Sequence, residues 1–139
     1  MLIKNIKGFV IDNSYLIEAT ENADKEQFFD VLEGKIKLYA PRLIYYELGN
    51  VTLMKAKKNT IKENRKYFLC NLLQTINIKD CDFVKVFDLA QKHNLTFYDA
   101  SYLQLAIDLK LPLATYDQQL VYAARSEKIE LIEDKSVSM

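Results

Sequence analysis

Four acidic residues of this chain, Asp12, Glu47, Asp99 and Asp117, stand where ordinary packing does not explain them. Asp12 ends a short apolar run, and Asp117 follows another apolar run by two residues. Glu47 lies in the middle of an apolar helical stripe, where an unpaired carboxylate is rare. Clustered carboxylates raise one another's pKa values unless a cation lies among them. If these four acids meet, they therefore predict a cation site.

The ligand types decide which cation such a site would favour. Oxygen ligands alone select hard ions, and a few carboxylates with several waters suit Mg²⁺ or Mn²⁺. No set of Cys and His residues competes for zinc, because the only histidine, His93, reads as a surface or capping residue without a partner. A metal in such a site would generate the nucleophilic hydroxide and stabilise the leaving oxygen, which is typical of phosphodiester hydrolysis.

Other interpretations of the same acids remain open at this point. Asp99 could simply complete a capping box with Thr96 at the start of its helix. Glu47 could lie at the rim of its helix if that helix is slightly rotated. A phosphatase could use Asp12 as a covalent nucleophile, although Asp12-Asn13-Ser14 supplies no second acid nearby.

The elements that must position these acids alternate along the chain. Short apolar runs predict strands, and the segments between them have the helical period. The pattern predicts an α/β domain with a central parallel sheet of about five short strands and helices on both faces. The strands are expected at 8–12, 37–40, 75–78, 111–115 and 129–132. In such sheets, ligands bind beyond the carboxyl ends of the strands.

Three of the expected helices are described by their bounds or by the side chains that they should bury. A helix is expected near 24–33, ending at Gly34, and another from 80 to 93. The second helix should turn apolar side chains inward, namely Phe83, Val84, Phe87, Leu89 and Ala90. The helix that follows Pro41 should bury a stripe of Leu43, Ile44, Glu47, Leu48, Val51 and Met54.

Length and composition favour one cytoplasmic domain over residues 1–139, with a frayed tail at about 133–139. Half of the residues are hydrophobic, enough for a sizeable core, yet no run resembles a signal peptide or a membrane helix. Cys70 and Cys81 read as reduced, core-type thiols. With 19 basic and 19 acidic residues, the total charge gives no evidence for a nucleic-acid partner.

A local basic stretch and several aromatic residues could nevertheless form contact surfaces. The basic stretch could bind RNA phosphates, a partner or only solvent, and it comprises Lys55, Lys57, Lys58, Lys62 and Arg65, followed by Lys66. The helices between Pro41 and Leu73 carry more apolar side chains than a small sheet obviously needs, which predicts a homodimer. The simpler interpretation is that these side chains, Tyr45, Tyr46, Tyr67, Phe68, Leu72 and Leu73, all belong to the core.

Four segments carry a resemblance to a known family. Residues 9–14, 41–50, 95–100 and 113–117 resemble, in order and in spacing, the four motifs of PIN-domain ribonucleases. Within that family, the motifs resemble those of VapC-type toxins of toxin–antitoxin pairs. Each motif alone is weak, but the four in register cover nearly the whole chain.

The resemblance implies a metal-dependent RNA endonuclease with Asp12, Glu47, Asp99 and Asp117 around a Mg²⁺ or Mn²⁺ ion. Ser14, Asn50 and Thr115 fall on motif positions, where they would orient carboxylates or waters. Members of the family usually dimerise, and the toxins are inhibited by a small antitoxin protein that covers the acidic site. The remaining alternatives are an RNA-processing nuclease outside a toxin–antitoxin system and a catalytically silent interaction module, which loss of the acids would mark.

Overall fold

Four short parallel strands form the centre of the fold. A computed structural model describes residues 6–21, 33–58 and 63–132, and within them the sheet order is β3–β2–β1–β4. The strands are β1 (Gly8–Ile11), β2 (Lys37–Ala40), β3 (Asn77–Ile78) and β4 (Leu113–Ala114). β1 pairs in parallel with both β2 and β4, so β1 and β2 are the inner strands. This arrangement confirms the predicted α/β class and parallel sheet.

Six helices flank the sheet in the described part of the chain. They are α1 (Asn13–Glu21), α2 (Leu43–Lys57), α3 (Glu63–Thr75), α4 (Phe83–His93), α5 (Phe97–Leu109) and α6 (Gln118–Ser126). None of the described helices is long and apolar enough to cross a bilayer. The helix predicted near 24–33 falls almost wholly outside the described residues, and so does the predicted tail at 133–139.

The core lies around β1 and α5. All four residues of β1 are buried, because an inner parallel strand is covered on both faces and must be apolar throughout. α5 is buried on every side from Ala100 to Ala106 and packs against α4, α6, β1 and β4. Its polar core residues find partners nearby: Ser101 Oγ donates to the carbonyl of Tyr98 at 2.6 Å, and Gln104 Nε2 donates to Asp108 at 2.9 Å.

The predicted fifth strand at 129–132 is reduced to one parallel bridge between Leu113 and Leu131. Two backbone hydrogen bonds make this bridge, from Leu113 N to Glu130 O and from Ile132 N to Leu113 O, both at 2.9 Å. β4 is only two residues long, so residues 129–132 form a single bridge with it rather than a ladder.

The face that α4 turns inward differs from the prediction. Val86 and Leu89 are buried, whereas Phe83, Val84 and Phe87 are 66%, 61% and 46% exposed. Asp82 fixes the start of the helix, because its side chain accepts a hydrogen bond from Lys85 N at 3.2 Å. Helical spacing then directs positions 86 and 89 to the core. The exposed rings contact one another instead, with Phe83 centred 6.2 Å from Phe87 and 5.0 Å from Phe97.

Other side chains expected in the core lie at the surface. Met54 and Tyr67 are 49% and 60% exposed, while Leu48 and Leu72 fill the core positions of α2 and α3. Cys70 is exposed, so it is not a core-type thiol, although it is free, as predicted. Cys81 is half-buried, and burial, with the Asp108 carboxylate next in effect, raises its pKa to about 12.

His93 has a partner that the sequence did not reveal. It ends α4, as expected for a residue near a helix end, and its Nε2 lies 2.6 Å from Glu127 Oε2. Lys92 Nζ donates to the same oxygen at 2.8 Å. Hydrogen bonds from Lys92 and then His93 lower the pKa of Glu127. The acid lies 34 residues further along the chain, so spacing alone could not link the pair.

Replacement by alanine should have opposite effects on the free energy of unfolding at Gly8 and at Gly49. A Cβ at Gly8 would lie 2.9 Å from Lys37 O and 3.2 Å from Tyr39 Cε1, so Gly8→Ala should lower the free energy of unfolding by about 1–3 kcal/mol. Gly49 is exposed in α2, and an added Cβ there meets no described atom within 4 Å. Gly49→Ala should therefore raise the free energy of unfolding by about 0.5–1 kcal/mol. Urea unfolding of both variants tests the pair, and a loss of stability at Gly49 would contradict this description of α2.

Candidate active site

Asp12 is a buried carboxylate at the carboxyl end of β1. It is 5% exposed, and it accepts three hydrogen bonds. Its Oδ1 accepts from Ser14 Oγ at 2.8 Å and from Tyr15 N at 2.9 Å, and its Oδ2 accepts from Thr115 Oγ1. The bond to Tyr15 N satisfies a backbone donor in the first turn of α1, so Asp12 also acts as a helix cap. The carboxylate is therefore held in one orientation.

The hydroxyls of Ser14 and Thr115 tie the ends of β1 and β4 together. Ser14 Oγ accepts from Tyr116 N at 3.1 Å, and Thr115 Oγ1 accepts from Asp117 N at 3.0 Å. Each hydroxyl thus donates to Asp12 and accepts from the backbone that follows β4. These are the contacts expected of residues that orient a carboxylate, the role predicted for both from their motif positions.

Burial raises the pKa of Asp12 from 3.8 to about 6. The hydrogen bonds from Thr115, Tyr15 and Ser14 oppose this rise because they stabilise the ionised form. The charge of Asp99 raises the pKa a little further. Burial and the neighbouring charge of Asp99 both make the ionised form of Asp12 less favourable. A nearby cation would offset both effects.

Glu47 is half-buried on α2 and is linked to α5 by a single hydrogen bond. Tyr102, which is 2% exposed, donates its hydroxyl to Glu47 Oε1 at 2.6 Å. Burial raises the pKa of Glu47, the bond from Tyr102 opposes this, and the charge of Asp99 adds to the rise. Glu47 therefore lies neither fully in the core nor free at the rim of its helix.

Asp99 is the acid that links the other three. It lies in the first turn of α5, where Thr96 caps the helix by accepting from Asp99 N at 3.0 Å, as predicted. Burial and then the charge of Asp117 raise the pKa of Asp99. Because Asp99 also acts on the pKa values of Asp12 and Glu47, it interacts with all three other acids.

Asp117 combines this charge with a structural role. Its Oδ1 accepts from Leu120 N at 3.0 Å, which caps α6. Asp99 and Asp117 are thus both at helix starts, where an acid is also favoured by the helix dipole. Capping and participation in an acidic cluster are compatible, since a cap uses only part of the hydrogen-bonding capacity of a carboxylate.

The donor types at this edge fit a hard divalent cation. All four acids offer oxygen. The charge of Asp99 raises the pKa of Asp12 and of Glu47, and the charge of Asp117 raises the pKa of Asp99, an electrostatic cost that a cation would offset. Within the described residues, however, no three His, Cys, Asp or Glu side chains are already arranged to hold one ion. Binding an ion therefore requires carboxylates to turn toward a common point.

Asn50 and two lysines of the basic stretch lie apart from these contacts. Asn50 is exposed on α2, and its Nδ2 lies 3.9 Å from Met54 Sδ. Lys57 and Lys58 are exposed at the end of α2, and Lys55 is partly buried there. Lys62 lies outside the described residues, and Arg65 falls within α3. That the basic stretch binds RNA or a partner stays a prediction.

Tyr102 is the residue at this site that the sequence did not single out. It lies three positions after Asp99, so one face of α5 presents both residues. That spacing is the signal that could have drawn attention to it. Its partner Glu47 is 55 residues away, and a tyrosine in an apolar stripe is ordinarily a core residue.

Similarity to known proteins now identifies the family. A model of the PIN domain family matches residues 9–126, which span all four acids. The chain belongs to the PIN domain family. PIN domains generally have a nuclease fold and are metal-dependent hydrolases, so the family agrees with the oxygen-rich edge described above.

The solved structures that resemble this PIN domain include one titled as the crystal structure of PAE2754 from Pyrobaculum aerophilum. The two chains are 26% identical, with a TM-score of 0.69, and the match covers 85% of this chain and 79% of the other. No curated protein matches the sequence significantly. The family match and the structural similarity together show the family and the fold.

The raised pKa of Asp12 predicts how the metal-free protein responds to pH. The folded state binds this proton more tightly than the unfolded chain, so the contribution to stability is present below about pH 4 and is lost as the pH rises through about 6. A rise from 3.8 to about 6 corresponds to about 3 kcal/mol. Asp12→Asn cannot titrate. In EDTA, the stability of the wild type relative to Asp12→Asn should therefore fall by about 3 kcal/mol across this range. A constant difference in urea unfolding would contradict the raised pKa.

Proposed function

We propose that this PIN domain is an endoribonuclease that hydrolyses RNA phosphodiester bonds with the help of Mg²⁺ or Mn²⁺. The observation that carries the proposal is that Asp12 and Asp117 follow the paired strands β1 and β4 and are linked through Thr115 at the carboxyl edge of the sheet. The charge of Asp99 raises the pKa of Asp12 and of Glu47, in agreement with one acidic cluster. In parallel α/β sheets, this is the edge where ligands bind. The membership of the family and the oxygen-only donor set support the same chemistry.

The four acids would hold the ion, and different contacts hold each of their carboxylates. Asp12 is held by two hydroxyls, Glu47 by Tyr102, and Asp99 and Asp117 by their places at helix starts. A bound divalent ion would lower the pKa of an attacking water and offset negative charge on the leaving oxygen. Once the carboxylates have turned to the ion, these contacts would keep them in place while the substrate reacts.

The surroundings of Asp12 favour this role over covalent catalysis. A phosphatase nucleophile must present a carboxylate oxygen to the phosphorus atom. Asp12 is 5% exposed, and both of its oxygens accept hydrogen bonds from the protein. Such a carboxylate is better suited to support a cation at its edge than to attack a substrate.

For the natural setting, we propose that the chain is the toxin of a toxin–antitoxin pair and forms a homodimer. The spacing of Tyr46, Leu53 and Met54 places three exposed apolar side chains along one side of α2, and Tyr45 is exposed beside them. Exposed apolar surface of this kind is typical of protein interfaces. The toxin assignment is supported by the resemblance of the four motifs to VapC-type toxins. A small antitoxin protein would then cover the acidic edge.

These partners can be tested together. Light scattering of the purified chain should give a dimer at micromolar concentrations, and Leu53→Glu should shift it toward the monomer, because the new charge would be desolvated in an interface. Expression of the chain should arrest growth, and co-expression of a small reading frame adjoining its gene should restore it. A monomer throughout would defeat the dimer, and normal growth without the neighbouring product would defeat the toxin assignment.

The catalytic proposal predicts a severe effect at Asp99. Asp99→Asn removes a negative charge, and the helix start stays capped by Thr96. With Mg²⁺ or Mn²⁺, cleavage of single-stranded RNA should fall on the order of 100-fold or more, since the cation that offsets charge in the transition state is held less well. Gel analysis of labelled RNA measures the rate. The gain in stability with metal, about 1.4 kcal/mol for one ion at ten times its Kd, should also shrink.

Asp88→Asn provides the matched control. Asp88 is exposed on α4, so the same change of charge occurs away from the acidic edge. Its cleavage rate and its stabilisation by Mn²⁺ should equal those of the wild type. If a folded Asp99→Asn protein cleaves RNA as fast as Asp88→Asn does, Asp99 does not act in catalysis and the proposed site is wrong.

A further inference from the structure

The hydroxyl of Tyr102 forms a hydrogen bond that packing of the core does not require. Tyr102 lies in the most buried part of α5, with 2% of its surface exposed. A core that needed only volume at this position could use phenylalanine. The hydroxyl instead reaches across to α2 and donates to Glu47 Oε1 at 2.6 Å, within the range of a strong hydrogen bond to a carboxylate.

Glu47 needs such a partner more than the other acids do. Asp12 has three protein donors, whereas Asp99 and Asp117 are anchored by their positions at helix starts. Glu47 lies inside α2, and its longer side chain has one more rotatable bond than aspartate. Without a fixed contact, its carboxylate would sample several rotamers, and each rotamer lost on binding a ligand costs entropy. The bond from Tyr102 is the described contact that limits this freedom.

The electrostatic surroundings of Tyr102 connect it with the whole acidic edge. Burial raises the pKa of Tyr102, and so do its hydrogen bond to Glu47 and the charges of Glu47, Asp12 and Asp99, so the hydroxyl stays protonated. It is therefore a permanent donor at neutral pH. Because α5 carries both Asp99 and Tyr102, one rigid helix sets the position of one acid and the orientation of another.

We propose that Tyr102 is a positioning residue that orients the carboxylate of Glu47 for a divalent cation. This inference rests on the proposed function, because it assumes that Glu47 helps to hold the ion. Tyr102 donates to Oε1, so Oε2 would be the oxygen available to a cation. Residues that orient ligands in this way typically change metal affinity by about 10- to 100-fold when they are lost.

A double-mutant cycle on the full chain tests the inference. The four proteins are the wild type, Tyr102→Phe, Glu47→Gln and the double variant, and calorimetric titration with Mn²⁺ gives the affinity of each. Tyr102→Phe should weaken Mn²⁺ binding by about 10- to 100-fold when Glu47 is present. In the Glu47→Gln background, the same change should have little further effect, because its target is gone. Tyr39→Phe, the same change at a half-buried tyrosine of β2, should bind Mn²⁺ like the wild type.

Each alternative result is informative. Unchanged affinity in Tyr102→Phe, or an equal loss in both Glu47 backgrounds, would overturn the positioning role and leave the proposed nuclease intact. Absence of Mn²⁺ binding by the wild type would overturn the metal dependence in the proposed function and this inference with it. If Tyr102→Phe does not fold, Glu47→Asp replaces it, since the shorter side chain retreats from the hydroxyl but keeps its charge. This variant should show a comparable loss of affinity, and unchanged affinity would overturn the inference.

Discussion

The structure depends on the buried carboxylate of Asp12 and the two hydroxyls that hold it. Ser14 and Thr115 donate to its two oxygens and accept from the backbone after β4, so the ends of two adjacent strands are joined through one side chain. Burial makes the charged form of this carboxylate costly, and its hydrogen bonds offset only part of that cost. The protein thus keeps a buried acid, costly in its charged form, at the edge of its sheet, which stability alone would not select.

α5 brings Asp99 to this edge, because packing fixes the position of the helix. The helix is buried from Ala100 to Ala106, so its first turn has little freedom to move, and that turn carries Asp99. From there Asp99 interacts with Asp12, Glu47 and Asp117. Their mutual repulsion destabilises the metal-free fold. A cation that binds only the folded state would reverse this effect, which links the stability of the protein to its proposed chemistry.

The features that the sequence predicted well are those with a local physical cause. Val10 and Ile11 lie in an inner strand buried on both faces, and Thr96 caps a helix, so each leaves a pattern within a few residues. The sequence did not predict that Phe83, Phe87 and Phe97 contact one another at the surface, because aromatic residues at helical spacing look like core residues. Contacts between distant residues were missed for a different reason. The bonds from Tyr102 to Glu47 and from His93 to Glu127 join positions 55 and 34 residues apart, and no local pattern encodes them.

The central claim is that Asp12, Glu47, Asp99 and Asp117 turn toward one divalent ion. A crystal structure grown with Mn²⁺, with anomalous scattering used to locate the metal, tests it most directly. We expect an anomalous peak at the carboxyl edge of the sheet, with carboxylate oxygens of these acids within about 2–2.5 Å of the metal. An ion bound elsewhere, or an empty edge at a Mn²⁺ concentration that supports RNA cleavage, would contradict it.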